Sequence, residues 1–272
     1  MTRNRLPRVV GGVALLAVTG CPGPRPMPTF MTRDDALAVV NGNLNRLRGG
    51  LRARGDASGH FTDQDGRRRS FQLSAKLLVV PPDRLHLQLE HPLAGDELRL
   101  GTNGAKWWLW LRRPEPHLVE LTRGETAEAV GHVPIQADQL LGAIGLLPLT
   151  GAAAQRITED HQQIIFFATG TDGNGDAVLI TKEFWLDRYD PWLIGEVVYR
   201  DEQGRELFRS DLKRYRLAVN GDLMLPHEIV LHWPMNDAEM TLSIDRWVQD
   251  EALSGDALPF VAPSDRPPMT GG

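Results

Sequence analysis

Leu37, Val40, Leu44, Leu47 and Leu51 recur at helical spacing, and Thr32 followed by Asp35 makes a capping-box-like start to that run. Gly49 and Gly50 are expected to end the helix. Beyond Gly55 the period shortens to two. Phe71, Leu73, Ala75, Leu77 and Val79 alternate with mostly polar residues, and Leu85, Leu87 and Leu89 alternate with Arg84, His86, Gln88 and Glu90. These are strands with one apolar face. Asp65-Gly66 and Asn103-Gly104 stand between such runs as hairpin turns, because both pairs tolerate positive φ. Further strands are expected over 164–168, 184–186, 193–199, 207–217, 229–233 and 240–248. After Pro134 the period returns to that of a helix, with Ala137, Leu140, Leu141, Ile144 and Leu147 on one side and Pro148 as the stop. The stretch Leu140 to Leu149 carries no charge, which fits either a core-packing helix or a cover over an apolar cavity. Roughly nine or ten short strands with two helices give an α+β fold.

The first twenty residues have a separate build. Arg3, Arg5 and Arg8 precede an apolar run from Val9 to Val18 that is too short to cross a bilayer but matches the hydrophobic region of a secretory signal. Val18-Thr19-Gly20-Cys21 follows, and small residues before a lone cysteine resemble the bacterial lipobox, in which the thiol is acylated and becomes the first residue. Two or more acyl chains on Cys21 would hold the protein at a membrane without a transmembrane helix. The expected organisation is a signal over 1–20, a lipidated tether rich in proline over 21–31, a folded domain over 32–250, and a flexible or draped tail over 251–272.

Composition narrows the chemistry. With 42% hydrophobic and 24% charged residues, 272 residues can bury a core, so disordered and fibrous classes are excluded. The net charge is -5, and without Arg3, Arg5 and Arg8 the balance is 27 basic against 35 acidic residues, or -8, which argues against nucleic acid as a partner. A single cysteine rules out an internal disulfide and any cysteine-only metal site. No nucleophile elbow, zinc-protease motif or phosphate loop is present. His227 and His232 stand five apart on an expected strand, which sends them to opposite faces. Asp172, Asn174, Asp176 and Glu183 imitate a calcium loop, but Ala177 stands where that loop needs glycine, so a polar hairpin turn is the better reading. Trp107-Trp108-Leu109-Trp110 splits by alternation into two faces, at least one of them core. The expectation is a protein without catalytic residues, metal or cofactor.

One stretch resembles a known family. Arg84-Leu-His-Leu-Gln-Leu-Glu-His91-Pro92-Leu93-Ala-Gly95-Asp-Glu97-Leu-Arg-Leu100 is similar to the strand, Pro-Leu-x-Gly loop and strand of LolB, the outer-membrane lipoprotein that receives other lipoproteins. Asn43 to Arg48 leading to Arg54-Gly55, Val133 to Pro148, Leu225 to Leu231 and Met240 to Val248 agree with further blocks of that family in the same order. The resemblance implies an incomplete antiparallel β-barrel, a half-barrel whose concave apolar face is covered by helices and holds acyl chains. It implies that Pro92 and Leu93 form a protruding membrane-insertion loop; a leucine after Pro92 between two strands that already alternate has no obvious place in the core. Leu85, Leu87, Leu89, Trp108, Trp110, Leu140, Leu141 and Ile144 are the expected lining of the acyl cavity. The implied partners are an acylated lipoprotein or lipid cargo, a periplasmic LolA-like carrier as donor, and the membrane through lipidated Cys21, with the protein a monomer on the periplasmic face of the outer membrane. His91 before the proline, the Gly170 to Asp176 segment and the tail depart from the family pattern. A lipid-anchored, non-catalytic scaffold with the same fold and a filled core is the alternative, and a calcium-dependent hydrolase a more distant one.

Overall fold

Thr32 caps the first helix as its position predicts: its Oγ1 accepts the Asp35 N–H at 3.2 Å and donates to Asp35 Oδ2 at 2.6 Å. Helix α1 (Arg33–Leu44) then buries Ala36 and Val40. It stops short of the expected Gly49. Leu51 belongs to strand β1 (Gly50–Thr62), where it is fully buried, and Gly49 at φ +71° turns the chain into that strand. Strand pairing of Leu51 outweighs its helical spacing from Leu44 and Leu47.

In this computed structural model the described residues are 31–63, 65–112, 116–122, 127–128, 134–135, 137–151, 154–171, 177–189 and 191–253. The signal, Cys21 and its tether up to residue 30, the Asp172 to Asp176 segment and the tail beyond Leu253 lie outside them. After β1 come β2 (Arg68–Val80), β3 (Arg84–His91), β4 (Gly95–Asn103), β5 (Lys106–Leu111) and β6 (His117–Thr122). The short β7 (Ala127–Glu128) and β8 (Pro134–Ile135) pair with each other and lead to α2 (Ala137–Ala143). The second half comprises β9 (Ala154–Ile157), β10 (His161–Thr171), β11 (Ala177–Asp187), β12 (Ile194–Arg200), β13 (Glu206–Lys213), the small pair β14 (Arg216–Leu217) and β15 (Met224–Leu225), β16 (Glu228–Trp233) and β17 (Ala238–Asp250).

Thirteen of these strands form one antiparallel sheet in the order β6-β5-β4-β3-β2-β1-β17-β16-β13-β12-β11-β10-β9. Its outer strands β6 and β9 are not paired with each other, so the sheet is not closed into a barrel. It nevertheless curls, because Trp107 on β5, Ile164 on β10 and Leu212 on β13 share one buried cluster. A flat sheet of that width would keep them tens of ångströms apart. Asp65-Gly66 and Asn103-Gly104 are the turns the sequence indicates, with Gly66 at φ +73° and Gly104 at φ +90°.

Where β1 meets β17 the two backbones approach closely. On β1 the inward positions are Leu51, Ala53, Gly55, Ala57 and Gly59, while Arg52, Arg54, Asp56 and Ser58 face water. A Cβ on Gly55 would stand 1.9 Å from the Ser243 carbonyl oxygen, and one on Gly59 2.1 Å from that of Glu239. The register slips by one between Arg54 and Gly55, which bends the pair further. Small residues there let the two backbones approach and keep the inside of the bend empty.

Two outcomes follow. Gly55→Ala should destabilise the fold by about 2–4 kcal/mol in urea unfolding, since backbone must move to admit the methyl. Gly42→Ala, in open space on α1, should instead stabilise by about 0.5–1 kcal/mol. Burial of His86 on the outward face of β3, reinforced by the nearby Arg99 guanidinium, depresses its pKa to about 4 from 6.5. The unfolded chain therefore binds that proton first as pH falls, so stability should be lost between about pH 6.5 and 4, by up to about 3 kcal/mol. His86→Gln should flatten this slope between pH 6.5 and 5, above the range where carboxylates titrate.

Candidate functional site

The site is a groove in the concave face with a volume of about 790 Å³, the size range of small-molecule clefts. Alternation on five strands supplies its apolar surface. Phe71 and Leu73 come from β2, Leu87 and Leu89 from β3, Leu98 and Leu100 from β4, Leu111 from β5, and Ala238 and Met240 from β17. Trp233 at the end of β16 and Leu140 of α2 also border it. His60, Asp63, Arg69, His91, Glu97 and Glu239 border its polar edge. Hydrogen bonding from Arg69, with the Arg67 backbone N–H, holds the Asp63 carboxyl below its ordinary value.

Three of the eight residues expected to line a cavity, Leu87, Leu89 and Leu140, border this groove. Leu85, Leu141 and Ile144 are buried in the same core but do not reach it. Trp108 and Trp110 require a correction. They stand on the opposite face of β5 from Trp107, Leu109 and Leu111: Trp108 packs with Leu78, Val80, Leu118 and Leu253, and Trp110 lies under the Arg99 guanidinium at 5.8 Å. Alternation separates the two faces but carries no information on which is concave. The decision comes from β4, where Leu98 and Leu100 pair with Leu111 and Leu109, whereas Gly101 opposite Trp108 leaves room for the indole on the outside.

Helix α2 is seated by contacts that hydropathy did not reveal. A Cβ on Gly142 would stand 2.5 Å from the Tyr199 hydroxyl, so glycine lets the helix sit directly on β12. The Ser210 hydroxyl donates to the Ala143 carbonyl at 2.6 Å, and Gly145 at φ +72° turns the chain out of the helix three residues before the expected stop at Pro148. Asn41 of α1 clamps the exit from α2, its amide bonding both the carbonyl and the N–H of Leu149 at 2.8 and 2.9 Å. Asn43 does the same for Met224 of β15, at 2.9 and 3.0 Å. Two asparagine amides thus replace backbone partners that an irregular segment lacks.

The turn between β3 and β4 borders the groove through His91 and Glu97, and its apex is Leu93, 94% exposed. Four features hold this leucine outward. Proline precedes it, its N–H donates to His91 Nδ1 at 3.2 Å, Gly95 adopts φ +79°, and the Arg112 guanidinium donates to the Ala94 carbonyl from beneath. His91 is the acceptor that fixes the turn.

The weaker candidates separate. His227 Nδ1 contacts the Ile244 carbonyl at 2.8 Å, while the His232 ring lies between Asp211 and Glu239, so the two histidines share nothing. Glu183 is turned to Arg200 at 3.3 Å. Among the described residues no group of three or more His, Cys, Asp or Glu is placed to hold a metal ion. No described helix is long and apolar enough to cross a membrane.

No protein-family model matches this sequence, and no curated protein does. Solved structures are similar in fold. A DUF1329 family protein from Desulfovibrio piger superposes with a TM-score of 0.51 at 9% identity, over 84% of this chain and 96% of that one. A LolA superfamily protein from Nitrosomonas europaea aligns with a TM-score of 0.47 at 12% identity, over 79% and 94% of the two chains. A domain named for outer membrane lipoprotein sorting, from Vibrio parahaemolyticus, aligns at 0.46 and 13% identity, over 81% and 94%.

The exposed turn gives a direct test. Arg112→Ala removes a charge-assisted bond to the Ala94 carbonyl, so hydrogen exchange at the Leu93 and Ala94 amides should quicken by about tenfold. Amides in β2 and β3 should be unchanged, as measured by mass spectrometry of the exchanged protein.

Proposed function

We propose that this chain is a lipid-anchored carrier of the LolA/LolB kind, which shelters acyl chains of a lipoprotein or lipid in its groove and passes them into the outer membrane. One observation carries the reading: an almost fully exposed leucine tops a turn that borders a large apolar groove. A groove lined by Phe71, Leu73, Leu87, Leu89, Leu98 and Leu100, with its polar groups at the edge, is matched to hydrocarbon. Helix α2 acts as its cover, with Leu140 against the cargo.

Transfer of an acyl chain needs no nucleophile. Each methylene leaving one apolar site forfeits ~0.8 kcal/mol and regains about the same in the next, so the reaction is close to balanced. The barrier lies in exposing the chain to water between sites. Leu93, held outward at the groove edge, shortens that exposure by entering the bilayer beside the departing chain. Cys21, acylated, keeps the groove within reach of the periplasmic face of the outer membrane, and a periplasmic LolA-like protein serves as the donor. The Pro-Leu-x-Gly block and the lipobox-like Val18 to Cys21 support this assignment.

A fluorescent fatty acid should be taken up by the protein, and Leu89→Trp, which fills the groove, should weaken uptake by about tenfold or more. Leu93→Glu should leave uptake unchanged but slow delivery of acylated cargo to vesicles by at least about tenfold, the cost of placing a carboxylate where a leucine enters lipid. Absence of uptake by the unaltered protein would return the fold to the role of a filled scaffold.

A further inference from the structure

Strand register shows which turns share an end of the molecule. His60 pairs with both Ser70 and Glu239, so the β1–β2 turn and the β16–β17 turn lie together. Ser74 pairs with Glu90, which brings the β3–β4 turn to that same end. Along the sheet edge the order is therefore the Leu93 turn, the β1–β2 turn, then the β16–β17 turn. At ~4.8 Å per strand the outer two stand roughly 20 Å apart measured along the curled sheet, with the groove opening between them.

The β16–β17 turn repeats the design of the Leu93 turn. Its sequence is Trp233-Pro234-Met235-Asn236-Asp237, with proline again preceding the apex, a 3-10 turn over Pro234–Asn236, and Asp237 in the left-handed region at φ 44°. Met235 is 61% exposed, although Trp233 and Ala238 on either side of the turn are buried and border the groove. The turn between the two apexes carries Arg67, Arg68 and Arg69, all exposed, against Asp63 and Asp65. Asp63 is committed inward, bonding Arg69 and the Asp65 and Arg67 backbone N–H groups, and Arg68 is steered toward His60 at 2.7 Å. Phe167 and Leu179, 56% and 47% exposed, lie toward this end too, because Thr181 opposite Phe167 pairs with Arg200 at the end of β12, and Arg200 pairs with Glu206, three residues beyond the partner of His232.

We infer that this end of the half-barrel docks on an anionic lipid surface through two apolar prongs, Leu93 and Met235, with the Arg67–Arg68 tip seated among headgroups between them. This rests on the reading of Leu93 as a lipid-entering residue and adds Met235 and the arginines to it. Single apolar side chains separated by an arginine-bearing turn do not make the continuous core of a protein interface, but each can enter a fluid bilayer independently. Arginines at the level between them meet phosphate oxygens at that depth. Docking on both sides of the groove would aim its mouth at the membrane, whereas one prong leaves the molecule free to pivot.

The full chain carrying Cys21→Ser, which cannot be acylated, isolates surface docking from anchoring. It should float with phosphatidylcholine vesicles containing about 30% phosphatidylglycerol, and at least about fivefold less with phosphatidylcholine alone. Met235→Glu should lower the bound fraction by about fivefold, and Met235→Trp should raise it. The pair Arg67→Glu, Arg68→Glu should abolish the preference for phosphatidylglycerol. Fatty-acid uptake, measured on every variant, should stay at the unaltered level and certifies the fold. If both Met235 variants bind like the parent while Leu93→Glu binds less, the second prong is wrong and the carrier reading stands. Equal flotation with both vesicles overturns the arginine contribution. No flotation with either leaves this end to a protein partner and overturns the docking surface. Failure of the carrier reading shows separately, as absence of fatty-acid uptake by the parent.

Discussion

The close approach of β1 to β17 is the constraint on which the other features rest. It joins the strands before α2 to those after it, and it is made without side-chain bulk: Gly55 and Gly59 let carbonyl oxygens of Ser243 and Glu239 occupy the space a Cβ would need. A sheet with large residues at these points would flatten, and Leu87 and Leu98 would lose the partners across the concavity that make one core of it. The same economy of volume leaves the groove. Ala53, Gly55, Ala57 and Gly59 face inward beneath a region where neighbouring strands supply Phe71, Leu73 and Met240. Close packing would normally fill such a space; here the backbone curvature holds it open.

Polar bonds, rather than apolar area alone, fix the segments around that space. Helix α2 is seven residues long, too short to be stable by itself. Its position comes from Ser210, from the fit of Gly142 over Tyr199, and from the Asn41 clamp on Leu149. They add to the burial of Leu140, Leu141, Ala143 and Ile144 in the common core. The turn bearing Leu93 has the opposite character: a leucine that gains nothing by exposure is kept there by proline, glycine, histidine and arginine together.

Much of the strand pattern was readable because each strand buries one face. The alternation of Phe71 to Val79 and of Leu85 to Leu89 locates β2 and β3, and Asp65-Gly66 and Asn103-Gly104 locate the β1–β2 and β4–β5 turns. Thr32 and Asp35 locate the start of α1. Strand β1 was invisible to the same test, since its inward residues are alanine and glycine; the regular interleaving of small with charged residues from Arg52 to Ser58 was the signal available. Met235 was equally hidden, because Trp-Pro-Met-Asn-Asp reads as an ordinary turn until its neighbour in the sheet is known to be the Leu93 end.

The amino-acid order by itself determined the local periods, the caps and turns, and the pairs of residues that share a strand face, because these depend on contacts within a few residues. It also determined that Leu93 follows a proline in a turn. Only the tertiary structure decided which face is concave, placing Trp108 and Trp110 outside and Leu109 and Leu111 inside, because that choice depends on how a sheet assembled from strands far apart in the chain curls. Which turns meet at one end was decided there as well, since strand order in an antiparallel sheet is a property of long-range pairing and leaves no mark in any single segment.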